Sequence, residues 1–492
     1  MLIHDLVDMV AAQRPSSPYI RWPVAYSYEE FAERTKRVAT WLASLGIRHG
    51  DRIIIFSRNR PEVLLAVFGA ARIGAIFSVI NGSVKPYGLQ QIADQCEPSL
   101  ILVDDPNPEQ AQFLERYRVV PLDKLNGVSD SSSQFQPQSE PFVNVDPQAT
   151  ACLIFTSGST GTPRGVVLSH ANICFAAKAI QRRLQYQPDD IVGVFLPLSF
   201  DYGLYQFFIA ADAGASLCLG QGEMTGPGLL RTLGDLGITV LPVVPALGAA
   251  VIKLLERQSN TTLALRVITN TGEQLPIAYI TKLSELIPGV RIYPMYGLTE
   301  CKRVSILLPE EYSQRKDSVG RALDGTTARI VDEDGETLPP DQEGELVISG
   351  PNVSQGYWNA PEETKKRFRS NPDGTRDLYT GDQCRMDAEG YLYFVARKDS
   401  LLKHRGFRLS PHEIENAAHD ILGVLQSAVS KNKETDKLVL YVVANDRGLD
   451  EEKLWRELEK RLESYKLPDE IHLLDKMPQT GHGKIDRKLL AK

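Results

Sequence analysis

The chain has six cysteines in 492 residues, and none stands where it could pair or hold zinc. Cys96, Cys152, Cys174, Cys218, Cys301 and Cys384 are scattered singly, with no C-x-x-C pair and no neighbouring histidine cluster. A disulfide framework and a zinc centre are therefore not expected, and a reducing, cytosolic compartment is. A long block of lysine and arginine is also missing. The formal charge of −7 arises from acids and bases mixed along the chain, so nucleic acid is not an expected partner. Uninterrupted apolar runs of membrane length are lacking too: the most apolar stretch, PEVLLAVFGAARIGAIFSVI, is broken by Glu62 and Arg72, and no membrane span is expected. The first residues, MLIHDLVDMVAAQRPSS, carry acids where a secretory signal carries a basic segment. Internal repeats and heptad arrays are absent as well. What remains is an ordinary globular chain, 42% hydrophobic, with length for two or three domains.

What is present is an alternation. YSYEEFAERTKRVATWLASLG spaces its apolar residues as a helix and stops on a glycine before the strand DRIIIF; PEVLLAVFGAARIG predicts a second helix before IFSVIN. This is the rhythm of an α/β domain. Residues 126 to 148, NGVSDSSSQFQPQSEPFVNVDPQ, are rich in Ser, Gln and Pro and predict an exposed connector. Beyond about residue 318 the character shifts to strands punctuated by Gly and Asp, such as GTTARIVDEDGETL, GELVISG, GYLYFVA and VLYVVA, with amphipathic helices near 411 to 421 and 450 to 465.

One stretch breaks the pattern. LIFTSGSTGTPRG at 153 to 165 runs from a buried strand straight into hydroxyls and glycines and ends near an arginine. ACLIFT predicts the strand, GVVLSH its return, and Ser169 a cap for the helix HANICFAAKAI. Such a loop offers backbone N–H groups and hydroxyl donors to a polyanion, and Arg164 adds charge-assisted bonds. The same composition also suits a plain flexible turn, and the Walker A pattern is absent.

T-S-G-S-T-G-T-P-R-G resembles the phosphate loop of the adenylate-forming (AMP-binding) superfamily, which includes acyl-CoA synthetases, peptide-synthetase adenylation domains and firefly luciferase. The resemblance continues in order through YGLTE at 296 to 300, LYTGD at 378 to 382, RKDSLLKHRGFRLSPHEIE at 397 to 415, YKLPDEI at 465 to 471 and PQTGHGKIDRKLL at 478 to 490. It implies an α/β fold: a large N-terminal domain of αβαβα-type sheets plus a small barrel-like part over 1–396, a hinge at 397–400, and a small mobile α+β C-terminal domain over 401–492. It also implies a reaction. A carboxylate is a poor acyl donor, so ATP first converts it to an acyl-adenylate with loss of pyrophosphate, and a pantetheine thiol then displaces AMP.

The roles implied by the resemblance fall on particular residues. Lys484 matches the lysine that contacts both carboxylate and α-phosphate; otherwise it is a solvated charge. Thr299 matches the hydroxyl on the AMP phosphate and Glu300 the carboxylate that holds Mg²⁺, a hard cation suited to oxygen ligands. Thr156, Ser157, Gly158, Ser159, Thr160, Gly161 and Arg164 form the polyphosphate loop. Gly272, Glu273 and Gln274 resemble the adenine-lining stretch, Tyr296 and Gly297 the face against the base, and Asp382 and Arg397 the ribose contacts. A plain turn, a core aromatic and an Asx turn are the structural alternatives for these three groups. Asp399 falls at the hinge; Lys403, Arg405 and Gly406 fall where the family forms its thiol channel. The chain departs from the family at Ala396, where Gly is usual, and at Arg164, where Lys is commoner.

The acid pocket is expected around Phe200, Asp201 and Tyr202 in FLPLSFDYGLYQ, with Gly297 and Lys302. Phe-Asp resembles the pattern of amino-acid-activating relatives, in which the Asp meets an ammonium. Asp201 can equally pair with Lys302 or Arg303 in the unusual run CKRVS. The expected protein is an acid–thiol ligase that uses Mg-ATP and either coenzyme A or a carrier protein as thiol acceptor. With no carrier-like segment after Lys492, any carrier is expected on another polypeptide. A stand-alone amino-acid adenylation enzyme is the alternative, and a luciferase-like monooxygenase a remote one.

Overall fold

The computed structural model describes residues 1–130, 134, 144–157, 163–220, 226, 228–258, 262–372, 375–397, 402–404, 407–409, 411–432, 435, 437–444, 449–462, 464, 466–480 and 484–491. Local signals fix its first helices. Ser27 accepts a hydrogen bond from the Glu30 amide at 3.1 Å while the Glu30 carboxylate accepts one from the Ser27 amide, and this reciprocal cap starts the helix Tyr28–Ser44. Pro61 opens the helix Pro61–Arg72, every residue of which is buried. The two polar interruptions of that apolar stretch are neutralised where they stand. Arg72 forms an ion pair with Asp8 and donates to Thr35 at 2.9 Å, while Glu62 meets Arg60 and the Asn126 amide. Helix and following strand are thus core elements, and no helix among the described residues is long and apolar enough to cross a membrane.

Two sheets carry most of the chain. A six-stranded sheet runs in the order Val119–Pro121, Leu100–Val103, Arg52–Ser57, Ile76–Asn81, Thr150–Ser157, Pro163–Ser169. Its last two strands are antiparallel, with Ile154 opposite Val166 and Ser157 opposite Pro163, so the Ser/Thr/Gly loop joins the tips of a hairpin. Ser169 then caps the helix His170–Leu184 through a reciprocal pair with Asn172. A nine-stranded sheet orders Arg321–Ala322, Ser305–Ile306, Arg291–Tyr296, Val267–Asn270, Val240–Val243, Ile191–Val194, Ser216–Leu219, Pro18–Trp22 and Tyr26–Ser27, and its central strands are parallel. One apolar core runs between these sheets and their helices, with Phe31, Phe68 and Phe208 in edge-to-face contact at 5.4 and 5.9 Å. Each fully buried large apolar side chain in it contributes about 1.5–3 kcal/mol.

An antiparallel five-stranded sheet follows, built from Thr327–Val331, Gly344–Ser349, Phe368–Ser370, Arg376–Met386 and Leu392–Arg397. The remaining segments form separate apolar clusters of their own around Leu440, Leu454 and Ile471 and around Ala428 and Met477. They comprise the helices Pro411–His419 and Glu451–Glu459 and a three-stranded sheet, Val424–Lys431, Leu438–Ala444 and Glu470–Leu473. All six cysteines are free and buried.

Candidate active site

Parallel strands leave their carboxyl ends facing one crevice, and ligands of open α/β sheets bind there. In this chain that crevice is a cleft of ≈ 880 Å³. Thr156 enters it from the end of Thr150–Ser157, Thr271 to Gln274 follow Val267–Asn270, and residues 296–303 follow Arg291–Tyr296. Phe200 and Asp201 reach it from the start of the helix Asp201–Ala213. That start is seated tightly, because a Cβ at Gly203 would lie 2.5 Å from the Pro197 carbonyl oxygen. The antiparallel sheet supplies Asp382 and Arg397, and Lys484 arrives from the C-terminal segment.

On one side the acids are matched by donors. Asp382 accepts from the Tyr296 hydroxyl and, at 2.9 Å, from Arg397 Nε. Burial raises its pKa, and Arg397 opposes the rise. Phe394 lies 6.0 Å from the Tyr296 ring, tilted by 36°, and both rings line the cleft. Among the described residues Glu300 is held through Oε1, by the Tyr357 hydroxyl at 2.6 Å and Arg367 at 3.1 Å. Arg367 is itself pinned to the carbonyls of Tyr379 and Thr380. Arg164 pairs with Glu363 at 3.2 Å and stands 5.8 Å over the Tyr357 ring.

Lys484 crosses from the C-terminal segment so that its ammonium lies 5.4 Å from the Phe200 ring centre. The next amide, Ile485, donates to Glu273 at 3.3 Å. Burial raises the pKa of Glu273, with Lys484 and Arg487 pulling the other way. Behind it Arg487 and Glu415 form a two-bond ion pair, one bond of 2.9 Å, and His412 sits 3.3 Å from the same carboxylate with its ring edge-on to Phe394 at 5.3 Å.

At the other end the balance differs. Asp201 and Lys302 approach at 3.5 Å, and both are buried, as is Arg303. Burial pushes the Lys302 ammonium down to about 7, Asp201 working against that fall, and burial also lowers Arg303. The Lys302 ammonium lies 4.4 Å from the Tyr205 ring and the Arg303 guanidinium 5.5 Å from the Tyr202 ring. A tight turn aims both cations. Lys302 has a left-handed φ of 58°, and a Cβ at Gly297 would meet the Lys302 carbonyl oxygen at 2.2 Å.

Of the residues singled out in the sequence, the cleft brings together Thr156, Arg164, Phe200, Asp201, Gly272, Glu273, Gln274, Tyr296, Gly297, Thr299, Glu300, Lys302, Asp382, Arg397 and Lys484. Tyr202 lies behind the wall, buried, with its hydroxyl 2.6 Å from Thr269 Oγ1. Gly158, Ser159, Thr160, Gly161, Asp399, Arg405 and Gly406 lie outside the described residues, as do the side chains of Ser157 and Lys403. Tyr357, Arg367, His412 and Arg487 also line the cleft, and sequence reasoning missed them. Arg487 carried a signal, three residues after Lys484; His412 and Glu415 carried another, one helical turn apart.

The cleft's lining contains no group of three or more His, Cys, Asp or Glu side chains among the described residues that could cage a metal. It does fit Mg²⁺ arriving with a nucleotide, which needs only one or two carboxylates besides phosphate oxygens. Glu300 qualifies because its protein bonds fall on Oε1.

The chain is similar to known proteins along most of its length. The model of the AMP-binding enzyme family matches residues 7–358, and that of the AMP-binding enzyme C-terminal domain matches residues 413–484. Indoleacetate–CoA ligase of Aromatoleum aromaticum (strain DSM 19018 / LMG 30748 / EbN1) is 29% identical, the match covering 99% of this chain and 96% of that protein. One of the plipastatin synthase proteins of Bacillus subtilis (strain 168) is 28% identical over 94% of this chain, which spans only 13% of that protein. Among solved structures, VinN with L-aspartate is 32% identical with a TM-score of 0.73, over 80% of this chain and 98% of that one. The anthranilate CoA ligase AuaEII with anthranoyl-AMP shares the fold at a TM-score of 0.89 and 23% identity, over 100% of this chain and 97% of that one.

Proposed function

We propose, from the premise that the chain belongs to the AMP-binding enzyme family, that it is an AMP-forming ligase that activates an amino acid as an acyl-adenylate and passes the acyl group to a pantetheine thiol. The observation that carries this reading is the arrival of Lys484 from the C-terminal segment, over Phe200 and beside Gly272, in the cleft that also holds Tyr296, Asp382, Arg397 and Asp201. An anionic carboxylate must approach a polyanion in the first step, so fixed cations and positioning carry most of the catalysis. Lys484 would bridge the carboxylate and the α-phosphate. Thr299 would donate to that phosphate, Arg164 and the Ser/Thr/Gly loop would hold the departing pyrophosphate, and Asp382 with Arg397 would take the ribose. Glu300, braced by Arg367 and Tyr357, would hold Mg²⁺, which supplies charge neutralisation to the phosphates.

The amino-acid reading rests on Asp201, a buried carboxylate in the wall that an acyl chain would touch; burying such a charge is costly unless a cationic partner meets it. The relative solved with L-aspartate supports it. A second reading, a coenzyme A ligase of plain acids, draws on the 3.5 Å contact that lets Lys302 neutralise Asp201 internally. The thiol belongs to coenzyme A or to a carrier protein; the relatives above include a coenzyme A ligase and a plipastatin synthase. Mass spectrometry of the enzyme with ATP, Mg²⁺, mixed acids and pantetheine tests the proposal. It should show an aminoacyl-adenylate and the matching thioester, and adenylates of plain acids alone would favour the second reading.

A further inference from the structure

The cleft contains four acids among the described residues, and three are accounted for. Asp382 serves Tyr296 and Arg397, Glu300 serves Tyr357 and Arg367, and Glu273 faces Ile485 beside Lys484. Asp201 alone is left to face two buried cations, Lys302 and Arg303, whose exposures are 3% and 2%. Arg303 is the less satisfied of the two. Its Nη1 donates to the neutral hydroxyl of Thr271, while its Nε is fully buried with no acceptor among the described residues. A guanidinium has five donors in a planar fork, and a buried charge left this far short of acceptors is costly. The Tyr202 ring offsets part of that cost through its face but satisfies none of the donors, and the Tyr205 ring serves Lys302 instead. The tight turn at Gly297 and Lys302 sets the backbone that carries both cations, and both side chains are buried.

We propose that the acid accepted here carries, besides the carboxylate that is activated and the ammonium that faces Asp201, a second carboxylate bound jointly by Lys302 and Arg303, so that the substrate class is an amino dicarboxylic acid. The proposal rests on the amino-acid reading above. A carboxylate matches the planar fork and would fill the donors that Thr271 leaves open. With the substrate bound, the buried end of the cleft would hold Asp201 and the second carboxylate as two anions among Lys302, Arg303 and the substrate ammonium. Asp201 would then be shared between Lys302 and the substrate ammonium, so each of the three protein charges would have an opposite neighbour.

Acid-dependent ATP–pyrophosphate exchange on the full chain tests this, with aspartate, glutamate, asparagine, alanine, β-alanine and succinate, and with Arg303→Gln and Lys302→Gln alongside. A dicarboxylic amino acid should drive exchange, and its amide counterpart should fall by about 10²-fold or more in kcat/KM, because a site built for a charged partner rejects the isostere that lacks it. Arg303→Gln should shrink that ratio about 10²-fold through KM for the acid while KM for ATP stays put. Neutral amino acids outrunning dicarboxylic ones in the wild type, a result that needs no variant to fold, would overturn the second carboxylate and leave the amino-acid reading intact. Succinate matching aspartate would do the reverse, keeping the Lys302–Arg303 assignment while removing the ammonium. A loss in Arg303→Gln that falls on KM for ATP, or equally on every acid, would assign the pair to the nucleotide or to structure and overturn the proposal.

Discussion

The two ends of the cleft are built on opposite electrostatic plans. Where the nucleotide would lie, each acid already has its donors: Asp382 has Tyr296 and Arg397, Glu300 has Tyr357 and Arg367. Where the acid would lie, one carboxylate faces two cations, and a guanidinium nitrogen is buried without an acceptor among the described residues. The difference follows from what each end receives. A nucleotide brings its own counter-ion, so its contacts can be prepaired and merely exchanged. The acid end must choose among similar carboxylates, and a deficit that only the right ligand repairs makes that choice steep, as unpaired buried polar groups penalise wrong substrates.

Substitutions can break this contrast, in descending size. Glu300→Gln should lower exchange about 10²–10³-fold for every acid alike, since it removes one preorganised charge from the reacting end; a shift in acid preference would erase the boundary between the ends. Asp201→Ala should cost amino acids about 10²-fold in kcat/KM while plain acids change little, measured on the same panel. Asp382→Asn should raise KM for ATP by about tenfold to 10²-fold with no change in acid ranking. Arg164→Ala should cost about tenfold in ATP use, because the Arg164–Glu363 pair lies near the surface where charges are screened.

The smallest effect concerns the support behind Lys484. Burial alone would raise the Glu415 carboxyl, but Arg487 beside it holds it below the ordinary glutamate range. The unfolded chain titrates this group near about 4.3, so the pair's contribution to stability is fully present above that value and is lost as pH falls through the lower folded pKa. Melting temperatures from pH 7 down to 3 should drop in that window for the native chain. Glu415→Gln should start about 1–3 kcal/mol less stable and change less steeply there; identical slopes would mean that the pair is not what links Arg487 to the fold.

Much of the fold was legible because its signals are local. Ser169 read as a cap, the helices at 28 and 61 as periodic patterns, and the antiparallel return after the Ser/Thr/Gly loop as a second apolar run. The order of the strands was not legible, since neighbours such as Pro18–Trp22 and Ser216–Leu219 are distant in sequence. In the site, motif residues such as Tyr296, Glu300, Asp382 and Lys484 could be singled out because their contacts are carried by short conspicuous runs. Arg367 could not. It ends the run EETKKR, whose lysines make ordinary surface pairs with Glu362 and Glu363, and only the tertiary fold turns the arginine inward to Glu300. The choice between an Asp201 that meets an ammonium and one paired with Lys302 or Arg303 was likewise open, because Lys302 lies a hundred residues on, in the next wall of the cleft.

The central claim, that Lys484 links the two ends during adenylation, is tested most directly by separating the half-reactions of Lys484→Ala in single-turnover experiments. Adenylate formation from ATP and acid should fall by about 10³-fold, while thioester formation from supplied adenylate should stay within a few fold of the unchanged enzyme. Equal loss in both half-reactions would contradict the account.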